Sequence, residues 1–373
     1  MEELLNRKYK MKRIACFHLF NDYSGSPKVL KTVLEGLLGK GFEIDVVTSR
    51  GGVLDELKGH CNIKCRQYDY SFARNGLVRL MRYIGVQLIT FFIALGYIFK
   101  KNTVIYINTI LPIGAAIGGR LAGKRVVYHY HENAKAKSTF YRILAKMMQF
   151  IASDIICVSE YQRKFIRRKK RVYVIHNALQ KRFTDNIRPD MENAFEQKRI
   201  LMLGSLKGYK GTGEFIGLAE KMKEYSFELI VNDTEENIRG YIKKNNIEVP
   251  ANIAIHPRQT DVVGFYNRAT IVLNMSNKEQ FIETFGLTAL EAMTAGLPVI
   301  VPTVGGIAEL VENGVNGYKI DVQDIGEIEE KIKEIFKNKD LFIYLANNAK
   351  KCSEKYTAER MTDSIEHLIQ DRE

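Results

Sequence analysis

The sequence predicts an α/β chain of two doubly wound parallel-sheet domains, and three observations carry that expectation. Strand-like runs rich in Val, Ile and Tyr alternate with helix-like stretches along the chain. The alternation restarts after a polar segment, 181–198, that contains Pro189. At 373 residues, 46% of them hydrophobic, the chain suits two cores better than one.

In a first domain at 1–180, strands are expected at 13–19, 43–48, 62–67, 103–108, 125–131, 154–159 and 172–176. A linker is expected at 181–198. A second domain at 199–355 has strands at 199–203, 227–231, 252–256, 270–276 and 297–301. The last segment, 356–373, carries Met361, Ile365 and Leu368 as the apolar stripe of an amphipathic helix. Two such domains would face each other across a cleft, with ligands at the carboxyl ends of the strands. There is no fixed-period repeat and no low-complexity tract.

Composition narrows the function. The five cysteines form no paired framework, and Cys61 and Cys65 lack the second pair that a zinc site needs. Free thiols suit a reducing cytoplasm. The opening M-E-E-L-L-N-R-K-Y-K lacks an apolar stretch, so no secretory leader is expected. The net charge of +13 is unevenly placed: residues 1–177 hold 31 Lys and Arg against 12 Asp and Glu, while 178–373 hold 25 against 31. A basic first half suits a polyanion: an anionic membrane surface, an anionic acceptor or nucleic acid. Nucleic acid is disfavoured, because no recognised module accompanies the charge.

The most informative stretch is E-T-F-G-L-T-A-L-E, from Glu283 to Glu291, running on into A-M-T-A-G-L-P-V-I-V-P-T-V-G-G. Glu283 falls in a loop, and a helix is expected from near Thr288 to Gly296, followed by a short buried strand. Gly286 lets backbone approach a ligand closely. A helix N-terminus suits a phosphate, and Glu291, one turn inside, can accept hydrogen bonds from vicinal hydroxyls. One segment can therefore hold a phosphate, a ribose and a second polyol. Upstream, the expected strand at 199–203 leads into G-S-L-K-G-Y-K-G-T-G, whose glycines and lysines suit a diphosphate. Gly305-Gly306 is read as opening a further helix that ends at Asn313-Gly314 and carries Glu309.

On the paired glutamates, the intervening F-G-L and the E-A-M-x-A-G-L-P-V-I run, the chain resembles the retaining glycosyltransferases of family 4, which have the GT-B fold of two Rossmann-like domains. The resemblance implies a donor site in the second domain. Glu283 would contact the donor sugar and Glu291 the ribose hydroxyls, while Phe285, Gly286, Leu287 and Thr288 would surround the phosphates, partly through backbone. Lys210, in the matching Lys-Gly pair, would stabilise the departing diphosphate. Ser205 stands where the family often has Arg, a departure that Lys207 can offset only as a point charge. Arg258, in H-P-R-Q-T-D, falls in an expected base-binding loop.

In the first domain Gly25, in F-N-D-Y-S-G-S-P-K, matches the family's small-residue loop, with Ser-Gly where a Gly pair is usual. The expected strand at 125–131 ends in Y-H-Y-H-E-N, and the resemblance points to His131 or Glu132 as a contact to the sugar. By the period-two rule His129 shares the facing of His131. With Lys210 and Glu283, His131 completes the expected catalytic set.

The implied activity is transfer of a sugar, with retention of anomeric configuration, from a nucleotide-diphosphate sugar (UDP favoured) to a glycan acceptor in cell-surface polysaccharide synthesis. No D-x-D motif appears, so neither a metal nor another cofactor is expected. The acceptor is read as lipid-linked, which puts the protein in the cytoplasm, peripheral to the inner face of the membrane. Two segments could meet that surface: 163–171, with seven basic residues in nine, and the apolar stretch within 76–101. The cleanest apolar part, 85–99, is short for a span of about 20 residues and is read as a core or interfacial helix. Two alternatives stay open: an epimerase or phosphorylase on the same fold, and a membrane-associated scaffold that has lost catalysis.

Overall fold

The computed structural model describes residues 13–71, 73, 75–134 and 137–371. The expectation about a leader segment falls on residues 1–10, outside those described. Two compact units emerge, Met1–Gln180 with Ala358–Glu373, and Lys181–Thr357.

The first unit is built on a seven-stranded sheet in the order β3-β2-β1-β4-β5-β6-β7, every neighbouring pair parallel. The strands are β1 (Arg13–Phe17), β2 (Glu43–Ser49), β3 (Ile63–Tyr68), β4 (Thr103–Asn108), β5 (Arg125–Tyr130), β6 (Asp154–Cys157) and β7 (Val172–Val174). All seven expected strands are present, with ends moved by up to two residues. The central strand β4, T-V-I-Y-I-N, is buried along its whole length, as a parallel strand covered on both faces must be.

The C-terminal helix Ala358–Gln370 belongs to this unit and buries Met361, Ile365 and Leu368. It seats on the Gly25–Gly39 helix, where a Cβ at Gly36 would stand 2.3 Å from Thr362 Oγ1. Arg125 donates to the carbonyl oxygens of Leu368 (2.8 Å) and Ile369 (3.3 Å), satisfying acceptors that a helix end leaves open. The same guanidinium and Arg171 pair with the fully buried Asp154 at 2.7 and 2.9 Å.

The second unit has a six-stranded sheet in the order β10-β9-β8-β11-β12-β13, again all parallel. Its strands are β8 (Arg199–Gly204), β9 (Ser226–Val231), β10 (Ile253–His256), β11 (Ile271–Leu273), β12 (Val299–Val301) and β13 (Gly317–Lys319). The sixth was not foreseen. Three residues, G-Y-K, carry no apolar run, and what holds them is pairing to β12, with Gly317 so close that a Cβ would stand 2.2 Å from the Val299 carbonyl oxygen.

Two expectations are corrected. Residues 181–198 are not an open linker: they form helices Lys181–Asn186 and Met191–Gln197 within the second unit. Asp190 caps the second of these, and buried Phe195 packs on Phe342 at 5.4 Å, so a polar composition concealed a packed element. The helix expected after Gly305-Gly306 shrinks to a single 3₁₀ turn, Ile307–Glu309.

Candidate functional site

In the second unit the strand order reverses between β8 and β11, the position where open α/β sheets take ligands beyond their carboxyl ends. The loops after these two strands are tied together there. Gly211, at φ +74, opens the helix Thr212–Lys221, and a Cβ on it would stand 2.2 Å from the Met275 carbonyl oxygen, so glycine alone permits that approach. The Asn277 amide donates to the Tyr209 carbonyl at 2.9 Å. Tyr209 and Phe281 stack with centroids 4.8 Å apart.

Lys210 and Glu283 meet at this junction. The Lys210 ammonium lies 4.1 Å from the Phe281 ring centroid and donates a hydrogen bond to Glu283 Oε1. The same oxygen accepts from Ser276 Oγ at 3.2 Å. Both side chains are about a fifth exposed, at 22% and 18%, so the pair is solvent-accessible without being loose. The Glu283 backbone is held too: its carbonyl accepts the Gly306 amide at 2.8 Å, and Gly305 (φ +115) packs so near that a Cβ would stand 2.5 Å from the same oxygen.

The helix Leu287–Thr294 begins at Gly286, whose φ of +94 only glycine adopts at no cost. Its start presents first-turn N–H groups, the arrangement that suits a phosphate. Glu291 on this helix is half-buried, and its Oε2 accepts from the Tyr266 hydroxyl at 2.5 Å. Tyr266 is fully buried, and burial beside Glu291 raises its phenol far above the usual range, so it stays a donor. Thr288 receives a long contact, 3.5 Å, from Asn274 Nδ2. Phe285 turns inward, 2% exposed and edge-on to Tyr356 at 5.8 Å, so its ring is withdrawn from any ligand and only its backbone can serve.

The remaining second-unit residues are placed less centrally. Ser205 follows β8, and its carbonyl accepts from Thr212 Oγ1 at 2.9 Å. Lys207 is exposed, its ammonium 5.9 Å from the Tyr209 ring centroid. Arg258 follows β10, two strands from β8, and donates to Asn232 Oδ1 at 2.7 Å. The fold therefore gathers Lys210, Glu283, Gly286 and Glu291 at the switch point and leaves Arg258 to the side.

In the first unit the order reverses between β1 and β4, and Asn108, at the end of β4, is the hub. Its Oδ1 accepts from His131 Nε2 at 2.9 Å; its Nδ2 donates to His18 Nδ1 at 3.1 Å and to the Ser26 carbonyl at 3.3 Å. Gly25 opens the helix Gly25–Gly39, and the start of that helix is thus joined to His131 through Asn108. Burial beside His129 and His18 holds the His131 imidazole well below its ordinary pKa, so it is neutral. His129 does not share its role: it is fully buried, bonded to Tyr106 at 2.8 Å and pushed down to about 3 by desolvation. The period-two rule stops applying because β5 ends at Tyr130 and His131 lies in the loop.

Glu132 is corrected as a substrate contact. Its carboxylate is 8% exposed and turned toward the Ile110 amide (3.2 Å) and its own neighbour's, so it braces the loop instead of meeting a ligand. Asn108, Tyr266, Ser276 and the Tyr209–Phe281 stack were all missed. Only Tyr209 lies in a quoted motif, and each acquires its role from a residue at least seven positions away.

Comparison with known proteins bears on the family and the fold. Residues 183–352 match the family Glycosyl transferases group 1, and residues 23–180 match Glycosyltransferase Family 4. An uncharacterized glycosyltransferase of Methanocaldococcus jannaschii is 28% identical over 59% of this chain, and the alignment spans 60% of that protein. The capsular polysaccharide biosynthesis glycosyltransferase CapM of Staphylococcus aureus is 24% identical over 96% of this chain and 97% of its own length. Among solved structures, HepE of Anabaena in complex with UDP and glucose superposes with a TM-score of 0.77, covering 97% of this chain and all of that one at 19% identity. The two family matches between them take in most of both units, and the chain belongs to the family 4, group 1 glycosyltransferases of GT-B fold.

Proposed function

We propose that the protein transfers a sugar from a nucleoside-diphosphate sugar, UDP-linked, to a glycan acceptor. The observation that carries this reading is the junction of the β8 and β11 loops: a lysine ammonium, a carboxylate paired with it and a helix start sit side by side, with a second carboxylate one turn on. Lys210 offers positive charge to the departing diphosphate, where charge builds in the transition state. The helix start offers N–H groups to the phosphates, Glu291 accepts from the ribose hydroxyls, and Glu283 faces the donor sugar. His131, held neutral and oriented by Asn108, is assigned to the sugar on the first unit.

Transfer with retention then proceeds by same-face attack. The acceptor hydroxyl bonds to the anomeric carbon as the bond to the diphosphate breaks, and its proton passes to the leaving phosphate oxygen. No protein base is needed. The charge on the diphosphate is assigned to Lys210 and to backbone N–H groups. The acceptor is a lipid-linked glycan at the cytoplasmic membrane face, in the synthesis of a surface polysaccharide. Support comes from the capsular role named for the Staphylococcus aureus relative and the UDP and UDP-glucose complexes of the Anabaena neighbour.

The test is a panel of nucleotide-sugars scored for thermal stabilisation and for slow donor hydrolysis. UDP and at least one UDP-sugar should raise the melting temperature. If no nucleoside diphosphate or nucleotide-sugar does so, the donor-site reading is wrong.

A further inference from the structure

Three helices on the first unit expose an apolar face. Helix Gly76–Leu95 buries only the stripe Val86, Thr90 and Ala94. On its other side Leu77, Met81, Ile84, Leu88 and Phe92 recur every three or four residues and are 48% to 67% exposed, where a water-facing helix carries polar residues. Helix Ile113–Leu121 lies tightly beside it, since a Cβ at Gly114 would stand 2.1 Å from the Gln87 carbonyl oxygen. Tyr83 meets Phe140 of helix Thr139–Ile151 edge-on at 5.4 Å. Leu121 (63% exposed) and Phe150 (90%) extend the face. Between their helices is a groove of about 560 Å³ lined by Ile117, Leu121, Met147 and Phe150, with Arg120 and Lys146.

The charge around this face has one sign. Residues 70–153 contain twelve Lys and Arg and a single acid, Glu132, which is buried. The basic segment 163–171 is fastened to the end of the third helix: the Arg167 amide donates to Gln149 Oε1 at 2.8 Å, and Arg168 donates to the Ala152 carbonyl at 2.5 Å. Arg168 and Arg171 are spent inside the fold, whereas Arg163, Lys164, Arg167, Lys169 and Lys170 are exposed.

We propose that this face docks flat on an anionic lipid bilayer, with Leu88, Phe92, Leu121 and Phe150 among the acyl chains and the surrounding cations among headgroup phosphates. A second copy of the chain is a poorer occupant, because a face this uniformly basic would repel itself. Spanning the bilayer is poorer still, although Gly76–Phe99 is long and apolar enough to cross one. Crossing would strip the buried stripe from the sheet and break the bonds from the Gly114 amide to Gln87 Oε1 (2.8 Å) and from Tyr83 to the Leu111 carbonyl (2.7 Å). The inference deepens the reading of a lipid-linked acceptor, but it stands on the first unit alone.

The experiment sediments the full chain with vesicles of phosphatidylcholine, alone or with about 30% phosphatidylglycerol, at low salt and at about 0.5 M salt. Binding should require the anionic lipid and weaken at least about tenfold in high salt. The double variant Phe92→Ser, Phe150→Ser should lose about tenfold or more in vesicle affinity while its melting temperature and UDP binding match wild type. Arg120→Gln with Lys146→Gln should weaken binding to anionic vesicles in the same direction. The proposal is overturned if wild type ignores anionic vesicles, if the Phe double variant binds as wild type does, if those substitutions dissolve a dimer in ultracentrifugation instead, or if alkaline carbonate fails to extract the protein. Loss of UDP binding by wild type would sink the donor site and leave this proposal standing.

Discussion

The buried Tyr266 hydroxyl donates to Glu291 Oε2 at 2.5 Å, fixing the carboxylate on a helix that begins only a turn earlier. The bond holds the carboxylate in one orientation on that helix. Removing Glu291 should weaken UDP binding about 10- to 100-fold, the range of a hydrogen bond to a charged group. Tyr266→Phe keeps the ring and removes only the orienting bond, so a smaller loss of about 3- to 10-fold is expected. Isothermal calorimetry with UDP measures both, and equal affinity of Tyr266→Phe and wild type would deny the tyrosine a positioning role.

Lys210 and Glu283 should separate in kinetics from Glu291. With Lys210→Met the departing diphosphate loses its cation, and kcat should fall about 100- to 1000-fold with a smaller change in KM. Glu283→Gln keeps the shape and the Ser276 contact but removes the charge, and it should also act mainly on kcat. Steady-state rates on a competent donor and acceptor decide, and wild-type kcat in either variant would remove that residue from the reacting centre.

Gly305→Ala tests whether the Glu283 backbone matters. At φ +115 an added Cβ would stand 2.5 Å from the Glu283 carbonyl oxygen, which also receives the Gly306 amide. The segment must shift, at a cost of about 1–3 kcal/mol in stability. Activity should fall further than the lowered melting temperature explains, because the displaced residue is Glu283. Gly314→Ala is the control: its φ is +72, but open space surrounds its Cβ, so it should carry strain without lost turnover.

Buried histidines predict how stability depends on pH. Burial holds His129 at about 3 and His131 well below its ordinary value, while in the unfolded chain both take up protons near pH 6.5. Below that pH the unfolded state binds more protons than the folded one, so stability is greatest above about 6.5 and falls as pH is lowered toward 3. Urea midpoints between pH 7 and 5 should decline, and His129→Gln, which cannot take a proton, should flatten part of the decline. An unchanged slope in that variant would mean that other groups govern it.

How much could be read from the chain differs from element to element. The central first-unit strands were legible because buried parallel strands are near-continuous runs of β-branched residues, as in T-V-I-Y-I-N. The helix at 191–197 was not, since Ala194 and Phe195 are two buried residues inside a polar stretch. The motif glutamates were legible because Glu283, Gly286 and Glu291 sit at fixed spacing in one segment. Asn108 was invisible, since its partners His18, Ser26 and His131 lie 90, 82 and 23 residues away. Glu132 was misplaced for a related reason: an acid beside a histidine at a strand end reads as a ligand until burial turns it toward the Ile110 amide.

By itself, the sequence determined the α/β class, the alternation of strand and helix, the glutamate pair and the basic first half. These depend on local periodicity, spacing and composition, which a linear chain carries in full. Tertiary structure alone decided that Lys210 pairs with Glu283, that Tyr266 orients Glu291, and that His131 rather than His129 stays reachable. Each of these depends on which strands become neighbours, and pairing β8 with β11 closes 66 residues of intervening chain, from 205 to 270, into one contact. It also decided which stripe of the apolar stretch at 76–99 is covered, Val86, Thr90 and Ala94, and which is left exposed.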